Sequence, residues 1–128
     1  MRIMLMAALL VGGCAAAGRL GTGSWRAADV NGAPLVAGSN LTLELGPENR
    51  VSGSSGCNRY SGTYSFSSRE RIRFSALSST RMACAPDIMQ QEQSFLAILG
   101  NLESYSLYGD GSLSLIATDG RAVRFRRN

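Results

Sequence analysis

The sequence predicts a mainly β protein, an antiparallel sheet of about eight strands curling toward a barrel, with one α-helix covering it. Three observations predict this class. Short stretches alternate apolar and polar residues with a period of two, as half-buried strands require. Turn formers separate those stretches at close intervals, and the 15 glycines ask for more bends than a helical protein would use. Only one segment, Pro86 to Leu99, has the wider apolar spacing of an amphipathic helix.

The elements follow in order. A first strand is expected at residues 24 to 30, ending at the turn pair Asn31-Gly32. Leu41-Thr42-Leu43-Glu44-Leu45 alternates without a fault and centres a strand at 40 to 45. Gly46-Pro47-Glu48-Asn49 then turns the chain into a strand at 50 to 54. Strands at 60 to 66 and 69 to 75 flank Ser67-Ser68; in the second, Ile72 and Phe74 face one way and Arg69, Arg71 and Arg73 the other. In the helix, Ile88, Phe95, Leu96 and Leu99 fall on one side, Pro86 sits in the first turn, and Gly100 takes the stop position. Strands at 103 to 108, 112 to 117 and 121 to 126 complete the count, separated by Gly109-Asp110-Gly111 and Asp119-Gly120. Leu113 and Leu115 oppose Ser112 and Ser114, and Val123 and Phe125 oppose Arg124 and Arg126, which gives each strand one wet face. Such short connections speak for one domain and one core.

The basic balance is carried wholly by arginine: 13 cationic residues against nine acidic ones, with no lysine and no histidine. A formal charge of +4 describes a modestly cationic surface, for which solubility is sufficient reason, and no nucleic-acid partner is expected. If the strands bearing Arg69, Arg71, Arg73 and Arg124, Arg126 were neighbours, a positive patch would result. Without His or Lys, Ser-His-Asp, Cys-His and Ser-Lys nucleophile arrangements are impossible, so the chain is expected not to be an enzyme. The carboxylates fall mostly at turns or on wet faces; Glu92, one helical turn after Ile88, is the exception and should meet Arg81 or a backbone donor. No cofactor or metal site is expected, since neither downstream cysteine has a second ligand at close spacing.

The N-terminus sets the address. Met1 and Arg2 precede an unbroken apolar run of nine from Ile3 to Val11, far short of the roughly 20 residues that cross a bilayer. It therefore reads as the hydrophobic part of a signal peptide. Leu10-Val11-Gly12-Gly13-Cys14 resembles a bacterial lipobox, which implies a signal peptide over residues 1 to 13, lipid attachment at Cys14, a flexible linker over 14 to 23, and a folded domain over 24 to 128. The non-acidic Ala15 resembles lipoproteins sorted to the outer membrane, there facing the periplasm. Once Cys14 is lipidated, Cys57 and Cys84 remain as an even pair in an oxidising compartment, where a disulfide is the simplest use and two free thiols the alternative.

The run Ser52-Gly53-Ser54-Ser55-Gly56-Cys57-Asn58-Arg59-Tyr60-Ser61-Gly62-Thr63-Tyr64 is dense in glycine where a strand should be, the signature of a sharp corner. Further on, Ser79-Thr80-Arg81-Met82-Ala83-Cys84-Ala85 leads into the helix. Asn58, Tyr60 and Arg81, polar and aromatic residues gathered at these corners, are the candidate ligand or partner surface at the mouth of the barrel. Tyr60, Tyr64, Tyr105 and Tyr108 could line a groove, but such residues more often pack in the core with their hydroxyls at the rim.

These two segments, with Trp25 upstream and Leu113-Ser114-Leu115 and Val123-Arg124-Phe125 downstream, resemble the META domain family, which includes HslJ-like heat-shock lipoproteins. The resemblance implies a lipocalin-like, partly open antiparallel barrel with one helix across it, and envelope stress tolerance as the setting. It brings no catalytic residues and no agreed ligand. The expected role is a monomeric, membrane-tethered binding or envelope-integrity module whose partner is an envelope protein or small ligand. A hydrolase inhibitor using the loop from Ser75 to Ala85 is the alternative, and secretin piloting rests on fold analogy alone.

Overall fold

The computed structural model describes residues 20–128; the expected signal peptide and Cys14 lie outside them. Ten strands and one helix form in the order β1 (Gly23–Val30), β2 (Ala33–Pro34), β3 (Thr42–Leu45), β4 (Arg50–Ser54), β5 (Arg59–Ser68), β6 (Arg71–Phe74), β7 (Ser78–Ser79), α1 (Pro86–Leu99), β8 (Leu102–Leu107), β9 (Leu113–Ala117) and β10 (Ala122–Arg127). All eight expected strands are present. The short β2 and β7 are additions, pairing with β1 and β5.

Every pairing is antiparallel, and eight strands close into a ring, β1-β3-β4-β5-β6-β8-β9-β10, with β10 returning to β1. The closing pair runs from Trp25 opposite Arg127 to Val30 opposite Val123, with a bulge between Ala27 and Asp29. The loosest seam is β6 to β8, where Arg71 opposite Ser104 is the one register pair, supported by the Tyr105 N–H donating to the Glu70 carbonyl at 2.9 Å.

The period-two pattern decides which side chains enter the barrel. Trp25, Leu41, Leu43, Leu45, Val51, Ile72, Leu113, Leu115, Val123 and Phe125 all point inward and are buried. Each such side chain contributes roughly 1.5 to 3 kcal/mol on leaving water. Helix α1 starts with Pro86 in its first turn and packs Phe95, Ile98 and Leu99 against the interior. Phe95 sits edge-on to Tyr60 at 5.8 Å and to Phe125 at 6.2 Å between ring centroids, so the helix locks onto two distant strands at once. Ile98 joins the buried face that the sequence assigned to Ile88 and Leu96, both of which are half-buried.

Other expectations shift when the strands are assembled. Leu20, within the expected linker, is 4% exposed and its N–H donates to the Tyr105 hydroxyl at 3.2 Å. Ser112 and Ser114 are buried rather than wet; opposite Ser114, Arg124 sets its guanidinium 5.5 Å from the centre of the Tyr108 ring. The strands bearing Arg71, Arg73 and Arg124, Arg126 are separated by β8 and β9, so these arginines form no single patch. Arg26 instead lies opposite Arg126 across the closing seam.

Candidate functional site

The glycine-rich run forms a corner between β4 and β5. Gly56 has a φ of +113°, which lets the chain reverse there. The Ser55 N–H donates to the Asn58 carbonyl at 2.8 Å, tightening the turn. This leaves the N–H groups of Cys57 and Asn58 aimed at one point, where the α1 side chain Glu92 arrives. One Glu92 oxygen accepts from the Ser55 hydroxyl at 2.6 Å, the Asn58 N–H at 2.8 Å and the Cys57 N–H at 3.3 Å; the other accepts from Asn58 Nδ2 at 2.8 Å.

Burial acts on the Glu92 carboxyl most strongly and opposes its charge, but the bonds from Ser55, Asn58 and Cys57 together outweigh it and hold the group below the usual carboxylate range. Glu92 thus meets backbone donors, one of the two partners the sequence allowed. Arg81 is not its partner.

Asn58 extends the network outward. Its Oδ1 accepts from the Thr80 hydroxyl at 2.9 Å and the Met82 N–H at 2.6 Å, and its Nδ2 also donates to the Met82 carbonyl at 3.2 Å. Cys57 and Cys84 form a disulfide with their Cα atoms 5.9 Å apart, well within the usual span. The segment from Thr80 to Ala85 is therefore fastened to the corner by a side-chain amide and a covalent bond, while all six of its residues are exposed.

Of the three residues singled out from the sequence, only Arg81 stands at the surface. Asn58 is 3% exposed and its amide is fully engaged by protein groups. Tyr60 is 2% exposed, and its hydroxyl donates to the Thr42 carbonyl at 2.6 Å. Burial, reinforced by the charge of Glu44, pushes its pKa far above the usual phenol range, so it remains a neutral donor. Tyr64 likewise donates to the Gly46 carbonyl at 3.1 Å, and Tyr105 is buried, which leaves Tyr108 as the exposed tyrosine of the four.

A depression of about 410 Å³ lies beside the fastened segment, rimmed by Thr80, Arg81, Met82, Ala83 and Met89, with Asn58 and Glu92 at its back. Met82, at 60% exposed, is the surface residue that sequence reasoning missed, because an isolated methionine ordinarily signals core. A second depression of about 390 Å³ lies along β5 and β7 between Arg59 and Ser78. Both are on the outside of a barrel whose interior is occupied by its own side chains.

Known structures share this architecture. An NMR structure of a protein from Burkholderia xenovorans is 25% identical with a TM-score of 0.69, the match covering 100% of this chain and 99% of that one. A second NMR structure is 23% identical, TM-score 0.67, covering 83% and 89%. A crystal structure of a DUF4847 family protein from Bacteroides vulgatus has the same fold at 15% identity, TM-score 0.59, covering 84% and 93%. No curated protein matches the chain. The family model of the META domain matches residues 18–128, which takes in every strand, the helix and the disulfide: the chain belongs to the META domain family.

Proposed function

We propose that the protein is a non-catalytic binding module of the cell envelope, tethered to the outer membrane through Cys14 and facing the periplasm, where it serves envelope integrity under stress. The observation that carries this reading is the Cys57–Cys84 bond. It uses two of the three cysteines, fits an oxidising compartment, and leaves Cys14 as the single cysteine for a lipid, directly behind Leu10-Val11-Gly12-Gly13. More than one acyl chain at that residue provides stable anchoring where a single chain is marginal. The absence of His and Lys from the sequence and the full engagement of Glu92 by hydrogen bonds support a role without catalysis. A barrel packed with its own side chains places any ligand or partner on the outer surface, with the Thr80 to Ala85 segment the part best prepared for contact.

Intact mass of the protein expressed with its own N-terminus in a lipoprotein-processing host tests the address. A chain starting at acylated Cys14, with Cys57 and Cys84 refractory to alkylation, is expected. An unlipidated mass overturns the tether, and two alkylated thiols overturn the oxidising setting.

A further inference from the structure

Residues 80–85 combine exposure of every side chain with a backbone fixed on both sides of one peptide bond, Arg81–Met82. On the downstream side, the Met82 N–H donates to Asn58 Oδ1 at 2.6 Å, the Met82 carbonyl accepts from Asn58 Nδ2 at 3.2 Å, and Cys84 is bonded to Cys57. On the upstream side, the Thr80 N–H donates to the Arg59 carbonyl at 3.0 Å, and its hydroxyl donates to Asn58 Oδ1 at 2.9 Å while accepting the Arg59 N–H at 3.1 Å. Between these anchors the Arg81 carbonyl accepts no hydrogen bond and the Arg81 guanidinium makes no ion pair among the described residues. Asn58, which reaches both sides, is itself held by Glu92 from the helix.

An exposed loop normally loses mobility when it is bound, and that cost weakens the complex. Here the ordering is completed during folding, so the loop is presented as a finished ligand. Its most prominent features are an unpaired cation and, next to it, an exposed thioether. Those suit a partner that receives an arginine in an acidic pocket and takes the neighbouring backbone through main-chain hydrogen bonds.

The double anchoring narrows the partner further. We propose that residues 80–85 form an inhibitory loop for serine endopeptidases with an acidic specificity pocket, with Arg81 in the pocket and Arg81–Met82 at the reacting position. The assignment names a partner for the binding surface proposed above and rests on that reading, but not on the lipid tether.

The chemistry balances without any added reagent. The peptidase serine oxygen bonds to the Arg81 carbonyl carbon, the bond from that carbon to the Met82 nitrogen breaks, and the serine proton passes through the enzyme's histidine to the Met82 nitrogen. In an ordinary substrate the amine then diffuses away and water resolves the ester. In this loop Asn58 and the Cys57–Cys84 bond retain the amine beside the ester, at the high effective concentration of an intramolecular reactant, and re-formation of the peptide wins. The outcome is a long-lived complex rather than digestion.

Trypsin, assayed on an arginyl amide substrate with purified full-length protein, is the probe. Competitive, reversible inhibition is expected, with the chain recovered uncut. Arg81→Ala should weaken inhibition by on the order of 100-fold or more, the scale for removing one member of a buried charge pair. Arg81→Leu should lose trypsin and acquire inhibition of chymotrypsin, whose pocket is apolar, a gain that misfolding cannot produce. Unchanged trypsin activity with the wild-type chain in excess, or rapid cutting after Arg81 with no inhibition, overturns the proposal. Either result from a chain whose mass shows acylated Cys14 leaves the tether standing, so the two failures are told apart.

Discussion

Glu92 and Asn58 lie 34 positions apart and grip each other at two points, the carboxylate accepting the Asn58 backbone N–H through one oxygen and Nδ2 through the other, both at 2.8 Å. Through this contact the helix fixes the corner between β4 and β5, and through Asn58 it fixes the segment before its own first turn. One carboxylate therefore sets the shape of the exposed loop from behind.

Glu92→Gln keeps the side chain's size but replaces one acceptor oxygen with a donor. That donor must face either Asn58 Nδ2 or the group formed by the Ser55 hydroxyl and two N–H groups, leaving buried donors unpaired. A loss of about 2 to 3 kcal/mol is expected. Chemical denaturation at neutral pH checks it, with the midpoint falling and the slope unchanged.

The same residue gives stability a direction in pH. Because the folded state lowers the Glu92 pKa, its contribution is fully present above the unfolded-state value and is lost as the pH falls through the usual carboxylate range of about 4 to 5 toward the folded value. Asp110, lowered by bonds from Ser112, and Asp119, lowered by bonds from Arg121, act in the same direction. Unfolding free energy measured across acidic pH should therefore decline on acidification, and the decline should be shallower in Glu92→Gln without vanishing.

Cys57→Ser with Cys84→Ser opens a loop closed across a separation of 27 positions. The chain-entropy model gives a loss of about 3 to 4 kcal/mol for a loop of that size. Reduction of the wild-type protein should lower the denaturation midpoint by a comparable amount, and the double variant should be insensitive to reductant.

Gly53 faces inward in β4, and a methyl group there would collide with the Thr42 backbone carbonyl and, at 2.9 Å, with the Tyr60 hydroxyl. Gly53→Ala should cost about 1 to 3 kcal/mol, the range for overpacking, because the Tyr60 bond to Thr42 must give way. Gly109→Ala meets nothing within 4 Å and should leave stability unchanged or slightly raised. Thermal melts of the two variants side by side make the comparison.

The sequence carried strands that alternate around a single buried face, so Leu41 to Leu45 and Val123 to Phe125 sit where their pattern puts them, whereas β9 is buried on both faces. Helix α1 was legible from end to end, Pro86 to Leu99. Two-residue strands such as Ser78–Ser79 have no period to detect. Strand neighbours were not legible either, since pairing depends on how the ring closes, and the arginines of β6 and β10 are accordingly kept apart. At the candidate site, Arg81 was found as a surface group, while Asn58 and Tyr60 proved to be internal fasteners. A polar side chain at a corner reads alike whether it faces solvent or ties two loops together. Met82 escaped notice because an isolated methionine ordinarily signals core, and the side chain that pins its backbone belongs to a residue 24 positions away.

Ring closure by β1 and β10 has a bearing on how the chain acquires its shape as it is synthesised. The Asn128 N–H donates to the Ser24 carbonyl at 3.1 Å, so the two extremities of the domain are stitched to each other. A polypeptide made from its N-terminus onward presents β1 first and β10 last, and β1 has no partner on its closing side until β10 has followed. The final stretch is thus the keystone. Until it emerges, an open sheet edge that any accompanying chaperone must shield stays exposed.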